Sequence, residues 1–165
     1  MYQATHSDAE VIVVETAEHL KRFTVNLDKY SKVKAFVVYG ESALPENAQG
    51  NRFYLWKDFL QLGQALRDDL ILGKVAQQKP GECCCLIYTS GTTGNPKGCM
   101  LSHDNLTWEL QAMLASTEKE RPEAVGPHNR FVSYLPLSHI AGLAFDLLQH
   151  IGCVCEVFFA RPDAL

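Results

Sequence analysis

The sequence predicts a layered α/β domain with a largely parallel sheet and flanking helices. Three observations lead to this fold class. Short apolar runs typical of buried strands alternate with amphipathic segments typical of helices. Of the 165 residues, 47% are hydrophobic and 21% are charged, as in ordinary globular domains. A glycine- and threonine-rich loop leaves the end of one predicted strand, which is where parallel sheets bind ligands.

Two strands and two helices are predicted in the first half of the chain. The β-branched run Val11–Val14 and the apolar run 35–39 indicate buried strands. Thr16 can cap the helix between them. A polar loop follows over 41–52, and the spacing of apolar residues then predicts one helix over about 56–75. The residues expected to face inward from the two helices are Leu20, Phe23, Leu27 and Tyr30, and then Phe59, Leu62, Leu66 and Leu70.

The second half continues the alternation. Ser102 can cap a helix whose inner face is Leu106, Leu110, Met113 and Leu114. The charged stretch 117–129 is predicted to be a surface loop. A further helix is expected over 140–151. The strands predicted around these segments span 83–88, 99–101, 131–135 and 153–159.

Charge and cysteine content exclude several classes of protein. Lys and Arg total 15 against 19 Asp and Glu, giving a net charge of −4, so a dedicated nucleic-acid binder is not expected. The six cysteines form no C-x-x-C pair, which favours free structural thiols in a reducing compartment over disulfides or a metal site. The start of the sequence shows no secretory leader, and no run of about 20 apolar residues could span a bilayer. A cytoplasmic location is therefore predicted.

The loop after the 83–88 strand carries the strongest functional signal. Its glycines allow the backbone to approach a ligand closely, and its N–H groups and hydroxyls can donate to phosphate oxygens. Lys97 adds a positive charge, and Pro96 stiffens the chain before it. We predict a polyphosphate cradle in this loop. Its residues are Thr89, Ser90, Gly91, Thr92, Thr93, Gly94, Asn95, Pro96 and Lys97.

This loop resembles the phosphate-binding signature of the adenylate-forming superfamily, which includes acyl-CoA synthetases, luciferases and peptide-synthetase adenylation domains. Two further segments, 97–105 and 134–140, are similar to the motifs that follow it in that superfamily. The wider sequence resembles the bubblegum branch of long-chain fatty acid–CoA ligases. The resemblance implies that residues 1–165 are an incomplete N-terminal AMP-binding domain, without the C-terminal domain that carries a catalytic lysine.

The resemblance also implies a reaction. ATP, with Mg²⁺, would activate a fatty acid as acyl-adenylate, and CoA would then accept the acyl group. Residues 89–97 would hold ATP, Thr89 would contact the magnesium ion, and Lys97 and His139 would act in catalysis. His139 would lie near the adenylate and the acyl pocket. Peripheral attachment to the endoplasmic reticulum membrane is implied for the full-length parent.

Several alternatives stay open. Lys97 could be a solvated surface lysine, and His139 could serve at a helix start with Ser138 as the cap. The chain could be a short form or pseudoenzyme that binds nucleotide without catalysis. An unrelated enzyme with a P-loop is disfavoured, because a Walker A loop places Gly-Lys-Ser/Thr at a helix start and here Lys97 lies between Pro96 and Gly98.

Overall fold

The computed structural model describes residues 2–48, 50–89 and 94–161. They form two compact units, one ending at Gln77 and one beginning at Gln78. The α-helices are α1 (Tyr2–His6), α2 (Ala17–Thr24), α3 (Trp56–Gln61), α4 (Asp68–Gln77), α5 (His103–Glu120) and α6 (Gln149–Cys153). The strands are β1 (Val11–Val14), β2 (Ala35–Val38), β3 (Phe53–Leu55), β4 (Cys83–Thr89), β5 (Lys97–Ser102), β6 (Arg130–Ser133) and β7 (Glu156–Phe159). Short 3₁₀ helices span Leu27–Tyr30 and Pro122–Ala124, and a π helix spans Gly142–Leu148.

The first unit is built on a three-stranded parallel sheet in the order β1-β2-β3. The central strand β2 is buried at all four positions. Phe36 is fully buried and stacks on Phe53 with ring centroids 5.2 Å apart. Leu20 of α2 and Tyr30 of the following 3₁₀ helix cover this core. Removal of these apolar side chains from water is the main stabilising contribution to this unit.

The second unit contains two strand pairs. Strands β4 and β5 form an antiparallel hairpin, and β6 and β7 pair in parallel. Three of the four strand pairings described in the chain are parallel, so the predicted α/β class with a largely parallel sheet is confirmed. The antiparallel pair follows from chain length, because the connection between β4 and β5 is too short for a parallel crossover of a dozen residues.

Both predicted helix caps are present. The Thr16 hydroxyl accepts a hydrogen bond from His19 N–H at 3.3 Å, and α2 begins at the next residue. The Ser102 hydroxyl accepts from Asn105 N–H at 3.1 Å, and the Asn105 side chain accepts from Ser102 N–H at 3.0 Å. This reciprocal pair satisfies N–H groups that the first helical turn leaves without partners.

The helix predicted over 56–75 is wrong as a single element. The chain forms α3, then tight turns in which Leu62 and Gly63 N–H donate to carbonyls three residues back, and then α4. The residues expected to face inward are largely solvent-exposed, with exposures of 58% at Leu62, 61% at Leu66 and 56% at Leu70. Helical spacing of the leucines therefore does not establish one continuous helix here, because the turns around Gly63 separate α3 from α4.

Three other boundaries also differ from prediction. The stretch 117–129 is not entirely a loop, because α5 continues to Glu120 and ends just before Pro122. The predicted strand 153–159 begins only at Glu156, because Val154 adopts a left-handed conformation with φ 56° that ends α6. Strand β3, between the predicted polar loop and the predicted helix, was not predicted. Its three residues are too few to show a clear alternation of apolar and polar side chains.

Candidate functional site

The glycine- and threonine-rich loop connects the two strands of the β4–β5 hairpin. Tyr88 pairs with Gly98, and Thr89 pairs with Lys97 as the last residues in register. The two ends of the loop are thus held side by side by the ladder. Ser90, Gly91, Thr92 and Thr93 lie outside the described residues, so their predicted phosphate contacts stay predictions. Thr89, Gly94, Asn95 and Lys97 are exposed, and Pro96 is half-buried.

At two glycines of this hairpin a larger residue would be disfavoured. Gly94 has φ +92°, a region that side chains with a Cβ rarely adopt. At Gly98, a Cβ would lie 3.3 Å from two carbons of the Tyr88 ring, which covers this position from the opposite strand. The sequence pattern therefore reflects both loop conformation and close packing at its base.

Lys97 is exposed at the first position of β5. Across residues 2–48, 50–89 and 94–161, none of the four ion pairs includes it. The ammonium group has no carboxylate neighbour in that part of the chain to neutralise it. Such a lysine is suited to an external anion, which is the property that the predicted phosphate cradle requires.

His139 lies at the start of the helical segment that follows β6. Its ring Nδ1 accepts a hydrogen bond from the backbone N–H of Ala141 at 3.2 Å. The backbone N–H of His139 donates to Pro136 O at 2.9 Å. The role at the helix start is therefore filled by His139 itself, whereas Ser138 makes no capping bond among the described residues. With Nδ1 as the acceptor, the neutral ring carries its proton on Nε2. The side chain is exposed, so this N–H is accessible to a ligand.

An apolar groove of about 700 Å³ lies on the second unit. Its wall combines β5 with the start of α5 on one side and the helix after His139 on the other. The lining residues are Cys99, Met100, Leu101, Asp104, Asn105, Leu106, Trp108, Glu109, Ile140, Ala141, Ala144, Phe145 and Leu148. Neither Lys97 nor His139 lines the groove, but the segments that directly follow them do. Residues of both motif segments, 97–105 and 134–140, therefore line the same groove.

Asp146 is a buried carboxylate on the π helix that follows His139, and the sequence analysis did not single it out. It is 5% exposed, and its Oδ2 accepts hydrogen bonds from Tyr134 N–H at 2.7 Å and Leu135 N–H at 2.8 Å. Burial acts to raise the pKa of this carboxyl. Hydrogen bonds from Leu135, the Ser133 side chain and Tyr134 act the other way and prevail, so the pKa is lowered. The signal in the sequence was a single carboxylate within an apolar helix.

His150 lies four residues beyond Asp146 and is also buried, at 6% exposed. Its ring packs on Phe131 with centroids 4.3 Å apart. Among the described residues, its Nδ1 has no hydrogen-bond partner. Burial lowers the pKa of His150, and the negative charge of Asp146 only partly opposes this. The ring is therefore a neutral packing group at pH 7.

Three further expectations concern the cysteines, a metal site and the membrane. The six cysteines are free thiols. In the part of the chain that is described, no group of three or more His, Cys, Asp or Glu side chains is arranged to hold a metal ion. Thr89 as a magnesium contact stays a prediction. None of the described helices is both long and apolar enough to cross a membrane.

Comparisons with known proteins agree with the resemblance of the loop. The family model described as AMP-binding enzyme matches residues 1–165. The long-chain-fatty-acid–CoA ligase ACSBG2 of Xenopus laevis is 41% identical over 164 residues, which are 99% of this chain and 22% of that protein. The ACSBG1 ligase of Homo sapiens is 40% identical over 164 residues, again 99% of this chain and 22% of that protein. The chain thus spans about a fifth of the length of these curated relatives.

Solved structures share the fold. An anthranilate–CoA ligase, AuaEII, in complex with anthranoyl-AMP superposes with a TM-score of 0.68 and 21% identity, covering 99% of this chain and 28% of that one. ATP-bound MatB from Rhodopseudomonas palustris gives a TM-score of 0.57 and 18% identity, covering 98% and 28%. The predicted adenylate-forming fold is confirmed, and the chain belongs to the AMP-binding enzyme family.

Proposed function

We propose that this chain is part of a long-chain fatty acid–CoA ligase and that its β4–β5 loop holds the phosphates of ATP. In the first step, a fatty carboxylate oxygen attacks the α-phosphorus, the bond to the β-phosphate breaks, and pyrophosphate leaves. In the second step, the sulfur of CoA attacks the acyl carbon, AMP leaves, and the thiol proton goes to solvent. The curated relatives named above support the substrate class.

One structural observation carries the proposal. Strand β5 begins at Lys97 and lines the apolar groove with Cys99, Met100 and Leu101. A strand rises about 3.3 Å per residue, so the lysine backbone lies roughly 7 to 13 Å from those positions. The proposed phosphate site and the apolar groove would therefore be adjacent along one strand, as the joining of ATP to a fatty acid requires.

The roles of the residues follow from their chemistry. Lys97 would stabilise negative charge that shifts onto the departing pyrophosphate, and the hydroxyls and N–H groups of residues 89–95 would fix the phosphates in line for attack. His139 would donate from Nε2 to the adenylate or the acyl group. A Mg²⁺ ion bound with ATP would neutralise phosphate charge. The exposed Thr89 hydroxyl fits it as a single protein ligand, because Mg²⁺ at such sites takes most of its ligands from phosphate and water.

The test is Lys97→Ala in the natural protein that contains this sequence, compared with Lys119→Ala as a control at another exposed lysine. Fatty-acid-dependent exchange of pyrophosphate into ATP should fall about 10²- to 10³-fold for Lys97→Ala, the cost of removing one preorganised transition-state contact. Lys119→Ala should keep the wild-type rate. Because Lys97 is exposed, both variants should unfold at the wild-type temperature.

The measurement also separates the alternatives. Equal exchange rates for Lys97→Ala and the wild type would remove the lysine from the mechanism. ATP binding by the wild type without any exchange would favour a non-catalytic nucleotide-binding protein. A cytoplasmic location with peripheral attachment to the endoplasmic reticulum remains part of the proposal, and fractionation of the natural protein tests it.

A further inference from the structure

The buried carboxylate of Asp146 has two hydrogen bonds to the chain beyond β6. Of the described residues, Asp146 is the one acidic side chain in the buried class. Burial of a charge is costly unless hydrogen bonds compensate. Here Oδ2 accepts the N–H groups of both Tyr134 and Leu135, at 2.7 and 2.8 Å. The carboxylate therefore fixes the backbone at the point where β6 ends.

The π helix that carries Asp146 also packs on residues 136 and 137, which follow Leu135 in the same segment. Gly142 lies four residues before Asp146, and a Cβ built on it would be 2.3 Å from Pro136 O and 3.1 Å from Leu137 N. The helix backbone therefore packs directly on residues 136 and 137. Short π-helical segments are rare and are frequent at functional sites. Two features of one helix thus fix residues 134–137. The Asp146 carboxylate accepts two of their N–H groups, and Gly142, which has no side chain, lets the helix backbone pack closely on them.

The position of His139 depends on this segment. Its N–H donates to Pro136 O, and its ring Nδ1 accepts from Ala141 N–H. Ile140 and Ala141, which follow, line the apolar groove. A shift of residues 134–137 would therefore move the His139 ring and the adjacent wall of the groove together.

We propose that Asp146 is a positioning residue that places His139 for acyl-adenylate formation by holding the backbone of Tyr134 and Leu135. This inference rests on the proposed function. Asp146 itself touches no substrate. Its effect on kcat acts through the segment and through His139, so its contribution to kcat should disappear when His139 is absent.

The experiment is a double-mutant cycle in the natural protein with Asp146→Ala and His139→Ala, with Asp146→Asn as the conservative variant. The control is Leu20→Ala, which removes a fully buried side chain of the first unit and so destabilises the fold at a position outside residues 134–141. Pyrophosphate exchange gives kcat and KM for fatty acid and for ATP. Hydrogen exchange of the peptide covering 134–141 reports on the segment directly.

Asp146→Ala should lower kcat by up to about 10²-fold, the cost of misplacing a reacting group by about 1 Å. The KM for ATP should stay unchanged. Exchange of the 134–141 peptide should become faster, and Asp146→Asn, whose amide oxygen can still accept, should recover much of both effects. The double variant should be no slower than His139→Ala alone, because the two residues act as one unit.

The outcomes separate this inference from the function on which it rests. A wild-type protein without fatty-acid-dependent exchange would overturn the proposed function, and this inference with it. An active wild type in which Asp146→Ala lowers kcat no more than Leu20→Ala, or in which the losses from Asp146→Ala and His139→Ala multiply, would overturn only the positioning role. Unchanged hydrogen exchange over 134–141 would likewise overturn it.

Discussion

Replacement of Gly142 by alanine should displace the segment that leads to His139. The added Cβ would lie 2.3 Å from Pro136 O, and ordinary van der Waals contact begins near 3.4 Å. The two backbones must therefore separate by about 1 Å. The neighbour is a backbone carbonyl and cannot rotate away as a side chain could. Alanine has a higher helix propensity than glycine by about 1 kcal/mol, so the helix itself should still form.

We expect Gly142→Ala to lower kcat for adenylate formation by about 10²-fold, since a 1 Å misplacement at a reacting group has an effect of that order. The KM for ATP should change little, because the β4–β5 loop belongs to a different strand pair. The assay is fatty-acid-dependent pyrophosphate exchange, with thermal unfolding measured in parallel on the same preparations.

Gly152→Ala is the matched control. There the added Cβ would meet Leu110 Cδ1 at 2.8 Å and Leu114 Cδ1 at 2.9 Å, which are the ends of flexible side chains on α5. These side-chain ends can move by the roughly 0.6 Å that ordinary contact requires without moving a backbone. The control should keep wild-type kcat. Full activity of Gly142→Ala, at an unfolding temperature equal to the control's, would refute the reasoning from close contact to placement of His139.

Two further predictions concern stability. Phe36→Ala should lower the free energy of unfolding of the first unit by about 3–5 kcal/mol, measured by urea denaturation, because Phe36 is fully buried and stacks on Phe53; a loss below 1 kcal/mol would contradict the assigned core. His150→Phe should flatten the decline in stability as the pH falls below 6.5. Burial lowers the pKa of His150, so the unfolded chain takes up a proton near its ordinary pKa of 6.5 before the folded chain does, and stability is lost by at most about 1.4 kcal/mol per pH unit down to the folded pKa. Equal slopes for the variant and the wild type between pH 6.5 and 5 would argue against the neutral buried ring.

Features determined by neighbours in sequence were predictable. The strands β1 and β2 follow from continuous apolar runs, and the caps at Thr16 and Ser102 follow from residue type at a helix start. The position of the glycine- and threonine-rich loop between two strands was also predictable, since both flanking runs are apolar. The antiparallel pairing of β4 with β5 could also be predicted, because the connection between them is too short for a parallel crossover.

Features determined by contacts between distant residues were not predictable in the same way. The exposure of Leu62, Leu66 and Leu70 depends on turns that break a regular leucine spacing. The left-handed conformation of Val154 is unfavourable for a β-branched residue, and no local signal indicates it. In both cases the residue type argues for one structure and the surrounding chain imposes another.

The residues that would perform the chemistry and those that would position them differ in how they can be recognised. Lys97 is singled out by the composition of its loop, and His139 by the resemblance of its motif to the adenylate-forming superfamily. The partners of Asp146 are backbone N–H groups 11 and 12 residues earlier in the chain, and a backbone N–H leaves no trace in residue type. A trace remains at Asp146 itself, because a lone carboxylate in an apolar helix must have buried partners to offset its desolvation. Here those partners are the N–H groups of the two residues directly beyond the end of β6. A lone carboxylate in an apolar helix therefore indicates hydrogen-bond donors elsewhere in the chain. Here the segment between β6 and His139 supplies them.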